Sequence, residues 1–86
     1  MPEISRFYGI VIAMYSNDHE PPHFHAAYGE HRAMIAIADG SLLRGAFPLR
    51  ALRLARAWTT AHRAELGREW RLARDSKPLF KIAPLE

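Results

Sequence analysis

The chain has 86 residues, 49% hydrophobic and 24% charged, the balance of one small globular domain over residues 1–86 with a modest core. Cysteine is absent, which excludes disulfides and thiolate metal sites, so any metal must take histidine and carboxylate ligands. No apolar run reaches membrane-spanning length and no signal-peptide pattern is seen, so the expectation is a cytoplasmic protein without membrane association. The net charge of +3 rests on arginine: ten of the twelve basic residues are Arg, seven of them between Arg50 and Arg74.

From Ile4 to Tyr15 the chain is rich in β-branched and aromatic residues on both alternating faces, which predicts one strand covered on both sides. Gly9 inside it suggests a bulge or a close backbone approach. Asn17-Asp18 then ends the strand in a turn. A second strand is expected over 23–28 and a third over 31–38, joined by Gly29-Glu30, a glycine-first two-residue loop of type II′. That loop sets the register: Tyr28 faces His31, Ala26 faces Ala33 and Phe24 faces Ile35, forming an apolar face. His23 and His25 then lie on the opposite face, beside Arg32 and Met34. Asp39-Gly40 is another turn signal, leading to a short strand over 41–47.

Pro48 opens the helical half as a good first-turn residue. Leu49, Leu52, Ala55, Trp58 and Ala61 share one helical face, whereas Leu66, Trp70 and Ala73 form a stripe rotated from the first. A continuous helix would push Glu65 and Glu69 toward the apolar side, so a break between His62 and Gly67 is expected, giving helices near 49–62 and 64–75. Leu79 to Ile82 would add a short edge strand or a tail. The fold class is α+β: an antiparallel meander of three to four strands, then two helical segments packed on one sheet face.

Two constellations carry chemistry. Asn17-Asp-His-Glu-Pro-Pro-His-Phe-His25 holds three of the five histidines, the side chain best suited to bind metals or move protons near neutral pH. On a strand, His23 and His25 project from one face about 7 Å apart, a spacing that suits two ligands of one metal. His19 is the third histidine candidate, but an extended, proline-stiffened chain through Pro21 and Pro22 would hold it on the order of 12 Å from His23. Asp18, Glu20 and His62 are the alternatives for a third ligand brought in by the fold, while His31 falls on the wrong face. The implied cofactor is a divalent transition metal such as zinc. The bland alternative is that the histidines only brace the diproline loop.

The second constellation is the arginine stripe: Arg50, Arg53, Arg56, Arg63, Arg68, Arg71 and Arg74 fall in one arc opposite the apolar face. A solvated helix face normally mixes signs, yet no acidic residue occurs between Arg44 and Arg63. Arg50, Arg53, Arg56 and Arg63 are therefore candidates for contact with nucleic-acid phosphates or an acidic partner.

The runs Met1–Ile10, Asn17–His25 and Tyr28-Gly29, with Pro48, Arg50, Leu52, Trp58, His62, Trp70 and the terminal Ile82-x-Pro84-Leu85, resemble the small bacterial family called domain of unknown function 4160. The resemblance spans nearly the whole chain and makes His19, His23 and His25, with Asp18 and Pro22, the signature positions. Ala36 and Ala38 depart from the polar residues usual in the family's third strand. The resemblance implies no established reaction. It does imply a partner, because members are often encoded beside a second small protein, as in toxin–antitoxin-like or regulatory pairs. Three readings follow: a binding or regulatory module that contacts a small protein partner, a second copy or nucleic acid; a metal-dependent or histidine acid–base enzyme acting on RNA; and a purely structural motif. Whether the chain is an enzyme stays open at this stage.

Overall fold

The computed structural model describes residues 3–86. Five strands form one antiparallel meander in sequential order: β1 (Glu3–Phe7), β2 (Ile10–Ala13), β3 (His23–Tyr28), β4 (His31–Ala36) and β5 (Leu42–Gly45). Two helices follow, α1 (Leu49–Ala61) and α2 (Arg63–Arg74). The α+β class is as expected, with five strands in place of three or four.

The extra strand comes from the run read as one strand over 4–15. Tyr8 and Gly9 both have positive φ, 49° and 82°, the signature of a type I′ turn, so the chain reverses there and Phe7 pairs with Ile10. Gly9 is thus a turn residue rather than a bulge; the irregularity in this hairpin lies between Glu3 and Ser5. The β3–β4 hairpin has the expected register throughout, from Tyr28 opposite His31 to Phe24 opposite Ile35. Gly29 carries the positive φ its turn demands. β5 is shorter than the expected 41–47, because its pairing slips between Met34 and Ile35 and ends at Gly45.

The helices cover the face that carries Phe24, Ala26, Ala33 and Ile35. Trp58 is the centre of this core: fully buried, its ring lies 5.4 Å from Phe7 and 5.6 Å from Phe24. Its indole N–H donates to the Ala83 carbonyl at 2.9 Å, which satisfies the one polar atom that burial would otherwise leave bare. Leu49, expected on the core face, is instead 60% exposed at the first position of α1.

The helical break falls at His62, as the rotated stripes require. Its consequence for Glu69 differs from expectation. Glu69 is fully buried, and its carboxylate accepts the Phe80 backbone N–H at 2.6 Å and the Arg68 side-chain N–H at 3.2 Å. A buried carboxylate needs such partners, and here they tie the C-terminal segment to α2. That segment forms no strand; it runs along β1, where the Ile82 N–H donates to the Ile4 carbonyl at 2.8 Å.

Candidate metal centre

Strand periodicity places His23 and His25 on one face of β3, and the loop before them brings in a third group. The backbone N–H of Asn17, in left-handed conformation, donates to the Ala73 carbonyl at 3.0 Å, fastening the loop to the end of α2. Glu20 pairs with Arg74 across the same junction. The Glu20–Pro21 peptide is cis, and the segment folds back on itself rather than running extended.

Asp18 is thereby set over the histidine pair. Its Oδ2 lies 3.1 Å from His23 Nε2 and 3.0 Å from His25 Nε2. The ligand atoms of these three side chains all fall within 4.8 Å of one another. His23 is fully buried, with its ring 5.3 Å from that of Trp70, while His25 is partly exposed.

Hydrogen-bond chemistry assigns the protons. His23 Nδ1 sits 2.8 Å from the Pro21 carbonyl oxygen; a carbonyl only accepts, so Nδ1 carries the hydrogen. A neutral His23 then turns the Nε2 lone pair toward a carboxylate oxygen, two acceptors facing at contact distance. A cation must stand between them, either a proton, which makes His23 an imidazolium, or a metal ion. A histidine with one ring N–H donated to a backbone carbonyl, which fixes the tautomer and leaves the other nitrogen's lone pair for an ion, is the arrangement metal sites use to orient a ligand.

A family model described as "Domain of unknown function (DUF4160)" matches residues 9–71, well over half of the chain. The chain belongs to the DUF4160 family. No curated protein and no solved structure matches it.

In this DUF4160 chain burial alone would raise the Asp18 carboxyl, but other contacts outweigh it. Hydrogen bonds from His25 and from the His19 backbone N–H, with His23 alongside, bring it down from 3.8 to about 2. A lowered carboxylate stabilises the fold while it is charged, so its contribution is complete above about pH 4 and vanishes as the pH falls through about 2. In metal-free buffer, urea midpoints of the wild type and Asp18→Asn are therefore expected to converge between pH 4 and 2. A gap that stays constant through that window contradicts the assignment.

The other sequence candidates fall into place around this centre. The His19 ring is not held some 12 Å away; it stacks on His23 at 5.1 Å, because the loop reverses. Its nitrogens point elsewhere, Nδ1 to the Glu20 carbonyl and Nε2 no closer than 3.7 Å to Asp18 Oδ1, so it flanks the cluster without joining it. Pro21 acts through its carbonyl, and Pro22 accepts the Ile37 N–H at 3.1 Å, extending the β3–β4 pairing. Glu20 is taken by Arg74, His62 bonds Glu65 at 2.7 Å, and His31 is exposed at the far end of the sheet.

The arginine stripe is less free than its sequence suggests. Arg56 donates to the Gly40 carbonyl and Arg63 to the Ile37 carbonyl, while Arg68 and Arg74 meet Glu69 and Glu20. Arg50 and Arg53 instead line a shallow groove with Leu49 and Leu54. Two residues of the centre's surroundings escaped sequence reasoning. Trp70, besides its place in the helical stripe, covers His23, and Tyr15 packs edge-on against His25 at 4.6 Å. Tyr15 could have been found: two residues after Ala13, which pairs with His25, it continues the same side of the chain.

Proposed function

We propose that this protein binds one divalent transition metal, with zinc the best match, through Asp18 Oδ2, His23 Nε2 and His25 Nε2. The observation that carries the reading is the spacing. Zinc holds nitrogen and oxygen ligands tetrahedrally at about 2.0–2.2 Å, which puts two ligands of one ion about 3.3–3.6 Å apart. The carboxylate oxygen stands 3.0 and 3.1 Å from the two imidazole nitrogens, and all three ligand atoms lie within 4.8 Å of one another, so shifts of a few tenths of an ångström bring them to zinc spacing. The tautomer of His23 fixed by Pro21 leaves the right nitrogen free. Three protein ligands leave a coordination position for water or substrate, the pattern of Lewis-acid sites rather than of closed structural ones. That supports metal-dependent chemistry over the purely structural motif.

Titration of untagged, chelator-stripped protein with zinc chloride by calorimetry tests this. One zinc per chain is expected, with protons released from the imidazoles so that affinity falls at acid pH. His25→Ala and Asp18→Asn are each expected to weaken binding at least about a hundredfold, with the far-ultraviolet circular dichroism unchanged. Uptake that neither substitution alters removes the reading, as does no uptake at all.

A second reading, contact with an acidic protein partner, is favoured by the exposed Leu49 and the Arg50 and Arg53 side chains grouped at the start of α1. Such a surface fits one half of a regulatory or toxin–antitoxin-like pair in the bacterial cytoplasm. Co-expression with a small protein encoded beside this one, as the family resemblance implies, is expected to yield a salt-sensitive complex weakened by Arg50→Glu/Arg53→Glu. Separate elution at low salt counts against it.

A further inference from the structure

The sheet face turned away from the helices is shaped and charged for a ligand of its own. One row across the strands reads Arg6, Val11, Ala27, Arg32, each residue the register partner of the next. The neighbouring row places Ala13 beside His25. Small side chains in the middle of both rows leave a groove of about 380 Å³, with Arg32 of β4 and Arg6 of β1 on its two sides, three strands apart, and His25 with Tyr15 toward one end. That volume lies in the range of small-molecule sites, about 300–1,000 Å³, and is too small for a docked protein element.

The charge of the groove is one-sided. No carboxylate is among the described residues that line it. Arg6 is held by Glu3 through Nε and one terminal nitrogen. Arg32 is held differently: a single terminal nitrogen donates to the Gly29 and His31 carbonyls at 2.8 and 2.9 Å. The turn thus fixes the guanidinium, and its remaining N–H groups are spent on no carboxylate. A fixed planar fork with unspent donors fits the oxygens of a phosphate. At the other end, the half-exposed Tyr15 ring offers an aromatic surface of the kind on which bases stack.

We propose that this groove binds a nucleoside phosphate, its phosphate on Arg32 and its nucleoside reaching along Ala27 and Ala13 toward Tyr15 and His25. The ligand's far end then approaches the Asp18–His23–His25 centre, and only that last contact rests on the metal reading. Phosphate binding is set by Arg32 whether or not a metal is present, so the two proposals fail separately.

The test is titration of metal-free and zinc-treated protein with adenosine 5′-monophosphate, adenosine and inorganic phosphate, followed by Tyr15 and His25 chemical shifts. Adenosine 5′-monophosphate is expected to bind both forms, with at least tenfold loss of affinity in Arg32→Ala and a marked loss on raising salt. Adenosine is expected to bind far more weakly, and inorganic phosphate to leave Tyr15 unshifted. Because Arg32 also braces a hairpin, Tyr15→Ala serves as a second variant and is expected to weaken monophosphate binding severalfold without touching that turn. Binding unchanged in both variants overturns the proposal, as does no binding of the monophosphate to either form. Equal binding of inorganic phosphate and the monophosphate overturns the nucleoside assignment. Binding of the monophosphate by a protein that takes up no zinc leaves the groove standing and removes the metal centre alone.

Discussion

Replacing His23 by alanine is expected to abolish metal uptake and to cost about 3 kcal/mol of stability, whereas His25→Ala abolishes uptake at a cost of about 1 kcal/mol or less. The difference follows from position. His23 is fully buried beneath Trp70, so its removal opens a void, and it strands two acceptors, the Pro21 carbonyl and one side of Asp18. His25 is about one-third exposed, and water can replace what its ring gives up. For a domain of this size the His23 change corresponds to a fall in melting temperature on the order of 15 °C. Thermal melts of the two variants in metal-free buffer check the asymmetry. Equal losses would mean that His23 is not the buried anchor of the centre.

Gly45→Ala is expected to destabilise by about 2–4 kcal/mol, since it adds both a left-handed residue and a clash. At φ +87° a Cβ would lie 2.1 Å from the Arg32 carbonyl oxygen and 3.1 Å from the Ala33 Cα. That oxygen already accepts the Ala46 N–H at 3.1 Å, so β4 cannot yield without losing a bond that holds β5. Gly29→Ala supplies the control. Its φ is also positive, +57°, but nothing stands within 4 Å of the added carbon, and the expected cost is about 1 kcal/mol. Denaturant unfolding of the pair separates strain from collision; similar values would show that collision at Gly45 contributes nothing.

The contrast between these glycines reflects what a single sequence makes legible. The β3–β4 hairpin was readable to the residue, because a two-residue glycine-first loop and period-two alternation fix register locally. The helical break at His62 was readable from two stripes that one straight helix could not reconcile. The β1–β2 reversal was not, because Phe7-Tyr8-Gly9-Ile10 looks like unbroken strand and the turn needs a tyrosine at positive φ. The slip that ends β5 at Gly45 depends on the backbone of the neighbouring strand, which leaves no mark in the segment itself.

The site divides along the same line. That His23 and His25 share a face is a property of the strand. That Asp18 closes over them depends on a loop fastened to α2 through Asn17 and through Glu20 with Arg74, contacts across more than fifty residues of sequence. An extended-chain distance for His19 was bound to fail once the loop reversed. Glu69 shows the complementary error. Its charge suggested a solvent-facing position, but its partner is a backbone N–H eleven residues onward in the C-terminal segment, which no helical pattern encodes.

The most direct measurement of the metal centre is the nitrogen chemical shift of each histidine ring during zinc titration of the metal-free protein. Nε2 of His23 and of His25 are expected to shift together and saturate at one zinc per chain, Nδ1 of His23 to stay protonated, and His31 and His62 not to move. Saturation without any change at His23 Nε2, or coordination at His31 or His62 instead, would contradict the Asp18–His23–His25 centre.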